Sequence, residues 1–291
     1  MKRLNTLVLG GCLVNRPMDA TARANEVLDY RRYGPLQLLH SFTQMFQRIQ
    51  FIRGEREFPD EIRRLCRFPR DLGPLPEVAD FRDLDVAIVE PTTPVDLMFR
   101  GFSLNRQAVQ RFVGAAAGEG NKAVAALLTR WFRKGLIGFD EEARADAASK
   151  LLKLISGSRA RDKIARELLE ETRSVKCDQL GGLQGLHDIL RCPMGLVLYN
   201  FRYMPDGRAI SWPAGFREDT IAAAKSLDLA VYDPTSLVVG YGADAALVPG
   251  GGHYTEAFKP IMGEALLEFI QAVHAQRSGL VSFEPAPAAA D

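Results

Sequence analysis

The chain has 291 residues, of which 47% are hydrophobic and 25% are charged, and its formal net charge is +1. This composition is typical of a globular protein, and the balance of basic and acidic residues gives no electrostatic footprint for nucleic acid. The four cysteines lie far apart and form no CxxC pair: Cys12, Cys66, Cys177 and Cys192. That spacing argues against a zinc site and a disulfide framework, so we expect no bound metal and a reducing, cytoplasmic location.

The N-terminal segment predicts no signal peptide. Lys2 and Arg3 lead directly into an apolar run of about six residues, which is shorter than the roughly 7–15 residues of a secretory core. No apolar run approaches the ~18 residues that a membrane-spanning helix needs. We therefore expect no membrane span.

The first element is a short apolar strand, residues 4–9, that runs into Gly10, Gly11 and Cys12. A strand that ends in a glycine turn with one reactive side chain is how many α/β enzymes present a nucleophile. We expect the glycines to adopt positive φ and to leave room for a substrate. On this stretch alone, a small buried structural cysteine is an equally good interpretation of Cys12.

The segment after the first strand carries helical periodicity. Its pattern predicts a turn at residues 15–17, helices over 19–32 and 36–48, and a short strand at 49–53. His40 falls within the second of these helices. We interpret it as a surface residue or as a hydrogen-bonded core histidine.

The clearest strand in the chain covers residues 84–89. Its apolar run does not alternate with polar residues, which is typical of a strand buried on both faces of a parallel sheet. The strand ends in the polar sequence EPTTP. Glu90, its first residue, is either a solvated residue at a strand end or part of a site.

The composition changes between residues 96 and 191, which are rich in Ala, Leu, Lys, Arg and Glu. Several stretches there have helical periodicity, and no strand is predicted. We interpret this segment as a helical insertion between two strands, serving as a lid or as the surface of a homodimer. Trp131 and Phe132 within it are predicted to be packing residues.

The remaining residues return to alternating strands and helices. The predicted elements are a strand at 194–200, a helix at 216–227, a strand at 229–232, a glycine-rich loop at 240–252 and a helix at 255–274. Alternating strands and helices predict an α/β fold with a mainly parallel sheet.

We therefore expect a three-layer αβα, flavodoxin-like arrangement with a parallel sheet of about five strands. One domain would cover residues 1–283, with the helical insertion at 96–191, and residues 284–291 would form a disordered tail.

Several polar side chains follow predicted strands directly. In parallel sheets functional groups gather at the carboxyl ends of the strands. The residues in this position are Cys12, Glu90, Asn200 and Asp233. The loop before the last helix would bring His253 to the same edge.

Two motifs, VLGGCLV and GGGHYTEAF, together with the order of the strands, resemble the SGNH/GDSL hydrolase superfamily. VLGGCLV is similar to the first block of that family, with Gly11 in place of the usual aspartate and Cys12 in place of the serine. GGGHYTEAF is similar to the last block, in which His253 matches the catalytic histidine. The similarity is closest to branches with a cysteine in a G-x-C motif, such as GSCFA-type domains and capsule-biosynthesis acetyltransferase-like proteins.

The resemblance implies that Cys12 is the nucleophile and that His253 is its base and then the proton donor to the leaving group. The Cys12 backbone N–H would bind the negative oxygen of the intermediate. In the family a glycine and an asparagine complete this oxyanion hole. Gly34 is the candidate for the glycine.

The chain departs from the family at two positions. EPTTP contains no asparagine, so Thr92 or Thr93 would donate instead; Asn15 and Asn200 are alternatives away from the motif position.

The position of the family's aspartate is occupied by Gly250. The site would then be a cysteine–histidine dyad, or Asp233 or Asp244 would orient the imidazole.

These features predict an acyltransferase that moves an acyl or acetyl group to the hydroxyl of a sugar or small metabolite. The donor would be a coenzyme A thioester, and we expect no tightly bound cofactor. One alternative is an esterase or thioesterase of the SGNH hydrolase type. The other is a non-catalytic binding protein on the same fold.

Overall fold

The computed structural model describes residues 3–24, 27–29, 38–118, 120–199, 215–248 and 253–275. The chain divides into two compact units. The first unit comprises Met1–Arg53, Pro74–Pro94 and Asp178–Asp291, and the second comprises Gly54–Gly73 and Val95–Cys177. The predicted single domain with an insertion stays a prediction, and the predicted tail lies outside the described residues.

The described part of the chain contains both strands and helices. The strands are β1 (Leu4–Leu9), β2 (Leu28–Asp29), β3 (Val86–Val89), β4 (Val95–Phe99), β5 (Phe102–Leu104), β6 (Arg173–Lys176), β7 (Met194–Val197) and β8 (Ala230–Tyr232). The helices are α1 (Cys12–Ala24), α2 (Phe42–Ile52), α3 (Asp60–Leu65), α4 (Arg106–Ala117), α5 (Lys122–Thr129), α6 (Glu141–Leu154), α7 (Ala160–Glu171), α8 (Gln179–Leu190), α9 (Phe216–Ser226), α10 (Thr235–Tyr241), α11 (Ala243–Ala246) and α12 (Phe258–Ala275). A π-helix spans Arg130–Ile137. Within these residues, no helix has the length and apolar character needed to cross a membrane.

The first unit contains a five-stranded sheet in the order β2-β1-β3-β7-β8, and every neighbouring pair is parallel. Numbered within the sheet, this order is 2-1-3-4-5, which is the flavodoxin-like arrangement. Helices flank the sheet as a three-layer αβα fold. The predicted fold class is therefore confirmed.

The central strands are buried because helices cover both faces of the sheet. All four residues of β3 are buried, as are the last four of β1. Unbroken apolar runs of this kind are expected where neither face of a strand meets water.

The helices α1 and α12 pack closely against each other. At Gly263 of α12, an added Cβ would lie 1.9 Å from Thr21 Oγ1 and 2.8 Å from the Pro17 carbonyl oxygen. Only glycine permits so close an approach of the two helices.

A predicted turn and a predicted strand of the first unit are both helical in the structure. The turn predicted at residues 15–17 lies inside α1, where the Asn15 side chain bonds back to the carbonyls that precede the helix. The strand predicted at 49–53 is instead the end of α2. Short apolar runs do not distinguish a buried helix from a strand by periodicity alone.

The second unit contains a three-stranded antiparallel sheet in the order β5-β4-β6. The prediction that residues 96–191 contain no strand is therefore wrong. Arg100 and Gly101 join β4 to β5 with φ of 50° and 81°, as in a tight hairpin. The pattern was obscured because Asp96 interrupts the apolar run of β4, and because β6 is a largely exposed edge strand.

The π-helix of the second unit carries two large buried side chains. Trp131 and Phe132 are both fully buried, and their rings meet edge to face with centroids 5.0 Å apart. Their predicted role as packing residues is confirmed.

Candidate active site

Cys12 is the first residue of α1 and follows β1 after only two residues. Its side chain is half-buried. The N-terminus of a helix carries the positive end of the helix dipole, which stabilises a thiolate relative to a thiol. The position therefore favours a reactive sulfur over an inert one.

The two glycines before Cys12 are required by close packing. A Cβ at Gly10 would lie 2.6 Å from Val14 Cγ1 and 2.7 Å from Glu90 Cβ, and a Cβ at Gly11 would lie 2.9 Å from Thr92 Cγ2. Neither glycine has positive φ, so that part of the expectation is wrong. What the glycines provide is room for the side chains of Val14, Glu90 and Thr92 beside Cys12.

Asn15 braces the same turn from within α1. Its side-chain amide donates to the carbonyl oxygens of Gly10 at 2.8 Å and Gly11 at 3.0 Å. The side chain is buried. These two hydrogen bonds hold the Asn15 amide group against the glycine turn that precedes Cys12.

Glu90, at the end of β3, caps the N-terminus of α1. Its buried carboxyl group accepts hydrogen bonds from the N–H of Gly11 at 2.9 Å and from the N–H of Val14. Burial raises the pKa of Glu90 to about 8, and the two N–H groups oppose this rise. Of the two interpretations in the sequence analysis, the solvated strand-end residue is wrong.

His253 lies next to Cys12, with its Nδ1 atom 3.1 Å from the Cys12 sulfur. The backbone holds the histidine in place: the Val248 N–H donates to the His253 carbonyl oxygen, and Tyr254 is paired with Leu247. Burial lowers the pKa of His253, and the positive charges of two neighbouring side chains lower it further. These neighbours are Arg16 and Lys259. A neutral imidazole at neutral pH can accept the thiol proton.

A second histidine flanks the same turn. His40 precedes α2, whose N-cap is Ser41, so it does not lie inside a helix as the sequence predicts. Its ring Nδ1 is 2.7 Å from Thr92 Oγ1. A Cβ at Gly11 would lie 3.5 Å from the same ring nitrogen. The sequence offers no motif that distinguishes this histidine from a structural one.

The structure does not bring the predicted acids to His253. The Asp233 carboxylate pairs with Arg217 and accepts hydrogen bonds from the N–H and hydroxyl of Thr235. Asp244 is exposed on α11. Within the described residues, no carboxylate is hydrogen-bonded to the His253 ring. The predicted positions Gly34, Asn200 and Gly250 lie outside the described residues.

Cys177 and Cys192 are in environments that favour the protonated thiol. Burial raises the pKa of Cys177, and the neighbouring Asp96 carboxylate raises it further. Burial, together with the charge of Asp85, raises the pKa of Cys192 to about 12. In the part of the chain that the structure describes, no cluster of His, Cys, Asp or Glu could hold a metal ion.

A known family model covers most of the chain. The family model of the TviD N-terminal domain matches residues 4–269, a span that includes both Cys12 and His253. No curated protein and no solved structure gives a significant match.

Proposed function

We propose that the chain, which belongs to the TviD N-terminal domain family, is an acyltransferase that uses Cys12 as its nucleophile. That family is related to the biosynthesis of the Vi capsule, which is compatible with acyl transfer to a sugar. The observation that carries the proposal is the 3.1 Å contact between the Cys12 sulfur and His253 Nδ1 at the start of α1.

The first half of the reaction forms an acyl-enzyme. His253 takes the proton of Cys12, and the thiolate attacks the carbonyl carbon of an acyl thioester such as acetyl coenzyme A. The resulting tetrahedral intermediate collapses as the bond to the leaving thiolate breaks. The imidazolium of His253 protonates that thiolate, so coenzyme A leaves as its thiol and the acyl group stays on Cys12.

The second half transfers the acyl group to the acceptor. His253 removes the proton of a sugar or metabolite hydroxyl, whose oxygen attacks the acyl-cysteine carbonyl. The bond to sulfur breaks and the Cys12 thiolate regains a proton from His253. The product is an ester, and the enzyme returns to its starting state. If water takes the place of the acceptor, the same steps give ester or thioester hydrolysis.

The test measures acyl release from an acyl coenzyme A and from a p-nitrophenyl ester, with and without a sugar acceptor. We expect Cys12→Ala to lower the rate about 10³-fold or more, and intact-mass analysis to show one acyl group on wild type. Cys192→Ala is the matched control. Cys192 precedes β7 and so lies at the amino ends of the parallel strands, whereas Cys12 follows the carboxyl end of β1.

Full activity in Cys12→Ala contradicts the nucleophile assignment. If neither transfer nor hydrolysis occurs while Cys12 is unreactive in the folded protein, a non-catalytic binding protein on this fold becomes the better interpretation. A cytoplasmic location and a homodimer through residues 96–191 are further proposals; size-exclusion chromatography with light scattering tests the second.

A further inference from the structure

The second unit contains a pocket that is lined mainly by basic side chains. Its volume is about 290 Å³, close to the lower end of the range for ligand pockets, roughly 300–1,000 Å³. We call it the arginine pocket, and its lining residues are Asp60, Arg63, Arg64, Phe68, Pro69 and Arg70. Three guanidinium groups and one carboxylate line it, so the pocket is positively charged.

The arginine pocket lies where the chain turns back at the end of α3. Arg67 adopts a φ of 55°, in the left-handed region. The N–H of Phe68 donates to the Arg63 carbonyl oxygen at 2.9 Å, and the N–H of Arg67 donates to the Arg64 carbonyl oxygen at 3.1 Å. These two bonds form a Schellman motif, which ends the helix and reverses the chain. Residues 68–70 therefore line the same pocket as the arginines of α3.

The side chain of Arg63 is held in place by backbone carbonyls. Its Nη2 atom donates to the carbonyl oxygen of Leu72 and to that of Arg70, the latter at 3.3 Å. Its Nη1 atom lies 3.8 Å from Asp60 Oδ1. The Asp60 side chain is 85% exposed, so this ion pair is screened by solvent and offsets little of the positive charge.

Arg64 and Arg70 differ from Arg63 because their side chains are exposed and unpaired. Among the residues that the structure describes, neither guanidinium group forms a hydrogen bond or an ion pair. The nearby Arg67 side chain, which does not line the pocket, donates to Gln107 Oε1 at 3.2 Å. Arg64 and Arg70 thus offer positive charge and planar sets of N–H donors for which the described chain supplies no acceptor.

The chemistry of the lining favours a phosphate group as the ligand. A guanidinium group binds phosphate through two parallel hydrogen bonds, and a phosphate group at pH 7 carries a charge of about −1.5 to −2 on three acceptor oxygens. A carboxylate has a single charge and two oxygens. Three arginines around one pocket therefore match a phosphate better than they match a carboxylate.

We propose that the arginine pocket binds the phosphate group of a ligand, with Arg63 fixed in position and with Arg64 and Arg70 donating to the phosphate oxygens. The phosphate belongs either to a soluble phosphorylated molecule or to a lipid headgroup, and the two sources share this chemistry. The site does not depend on the proposed reaction of Cys12, because none of its lining residues belongs to the candidate active site.

The experiment measures binding to the full chain by isothermal titration calorimetry with inorganic phosphate and with uridine diphosphate. Sedimentation with phosphatidylcholine vesicles, with and without phosphatidic acid, tests a lipid source. We expect the double variant Arg64→Gln/Arg70→Gln to weaken binding at least about tenfold, because it removes two charge-assisted contacts. Both side chains are exposed, so the variant should remain folded, which thermal melting verifies.

Arg67→Gln is the matched control, because it removes the same charge from a neighbouring exposed arginine that does not line the pocket. It should keep the wild-type affinity. Arg64→Lys keeps the charge but loses the planar set of donors, so its affinity should fall between those of the wild type and the double variant. Acetate should bind the wild-type protein at least about tenfold more weakly than phosphate.

Binding of phosphate or uridine diphosphate supports a soluble ligand, and binding only to vesicles with phosphatidic acid supports a lipid headgroup, provided that the double variant loses it. The proposal is overturned if the wild-type protein binds none of these probes, if the double variant binds as tightly as wild type, or if Arg67→Gln weakens binding as much as the double variant does. Cys12→Ala should bind phosphate like the wild type, so failure of the proposed function leaves this result unaffected.

Discussion

Cys12 of the first unit and Cys177 of the second are alike in burial and contact but differ in the chemistry of their partners. Each is half-buried. The Cys12 sulfur lies 3.1 Å from an imidazole nitrogen of His253, and the Cys177 sulfur lies 3.3 Å from Oδ2 of Asp96. An imidazole can take the thiol proton, whereas the carboxylate accepts a hydrogen bond from the thiol and repels a thiolate. Burial is the main cause of the raised pKa of Cys177, and the charge of Asp96 raises it further, whereas the partner of Cys12 is a base.

Each unit also places a buried acid close to its cysteine, and the two acids point at different groups. Glu90 accepts from the backbone N–H groups of Gly11 and Val14, so its oxygens are committed to the start of α1. Asp96 accepts from the Ser103 hydroxyl at 2.5 Å and from the Cys177 thiol. The acid of the first unit thus supports the turn and leaves the sulfur of Cys12 to His253.

The largest expected effect is in the alkylation rates of the cysteines. At neutral pH, iodoacetamide should modify Cys12 at least about 100-fold faster than Cys177, because only the thiolate reacts. Peptide mass spectrometry over a time course measures each rate. His253→Ala should slow the modification of Cys12 and leave that of Cys177 unchanged.

Removing the charge beside Cys177 should reduce the difference in alkylation rate between Cys12 and Cys177. Asp96→Asn removes a negative charge beside Cys177 and should raise the alkylation rate of that cysteine. Because burial is the main cause of the raised pKa of Cys177, its alkylation rate should still stay well below the rate of Cys12. Equal rates for Cys12 and Cys177 in the wild-type protein contradict the distinction between the two sites.

The next largest effect is expected in the pH dependence of the free energy of unfolding, which Glu90 contributes to. The folded protein holds a proton on Glu90 up to a pKa of about 8, whereas the ordinary value is 4.5. Between these values the folded state binds more protons than the unfolded state, so the free energy of unfolding falls as the pH rises, by up to about 1.4 kcal/mol per pH unit. Glu90→Gln has no such proton to lose and should flatten this slope.

Urea unfolding at about pH 5 and about pH 8 measures the two slopes. Glu264→Gln serves as the control, since Glu264 is exposed on α12 and its substitution should keep the wild-type slope. A Glu90→Gln protein with an unchanged slope would show that Glu90 is not protonated in the folded state.

The smallest effect is expected from Arg16. Its positive charge contributes to the lowered pKa of His253, behind burial as the main cause. Arg16→Gln should raise the pKa of His253 toward its ordinary value, so the acidic limb of the pH–rate profile moves to higher pH. High salt should remove the difference between variant and wild type, because Arg16 is exposed.

The control for Arg16 is Lys225→Gln, which removes an exposed charge from α9. It should leave the acidic limb where it is. An acidic limb that stays in place, or moves to lower pH, in Arg16→Gln is incompatible with the described electrostatics.

The sequence was most informative where a local pattern has only one good structural solution. Unbroken apolar runs identified β1 and β3 as buried strands of a parallel sheet, and the fold class followed. The motif around His253, 241 residues from Cys12, suggested that the two meet, and in the structure they lie 3.1 Å apart. Their catalytic role stays a proposal.

The sequence failed where a side chain could bond to several partners. Asp233 follows a strand, as a catalytic acid would, yet its carboxylate pairs with Arg217 and accepts a hydrogen bond from Thr235. His40 looks like any helix histidine until Thr92 is found 2.7 Å from its ring. Local propensity cannot choose between such partners.

The sequence by itself therefore determined the buried strands, the glycine turn and the residue types at the edge of the sheet, because burial and backbone sterics act over a few residues. Only the tertiary structure decided which of those residues meet. Hydrogen bonds form within a few tenths of an ångström, and such distances are fixed by how whole elements pack. The close approach of α12 to α1 at Gly263 is one such contact, because an added Cβ there would collide with Thr21 and with the Pro17 carbonyl oxygen.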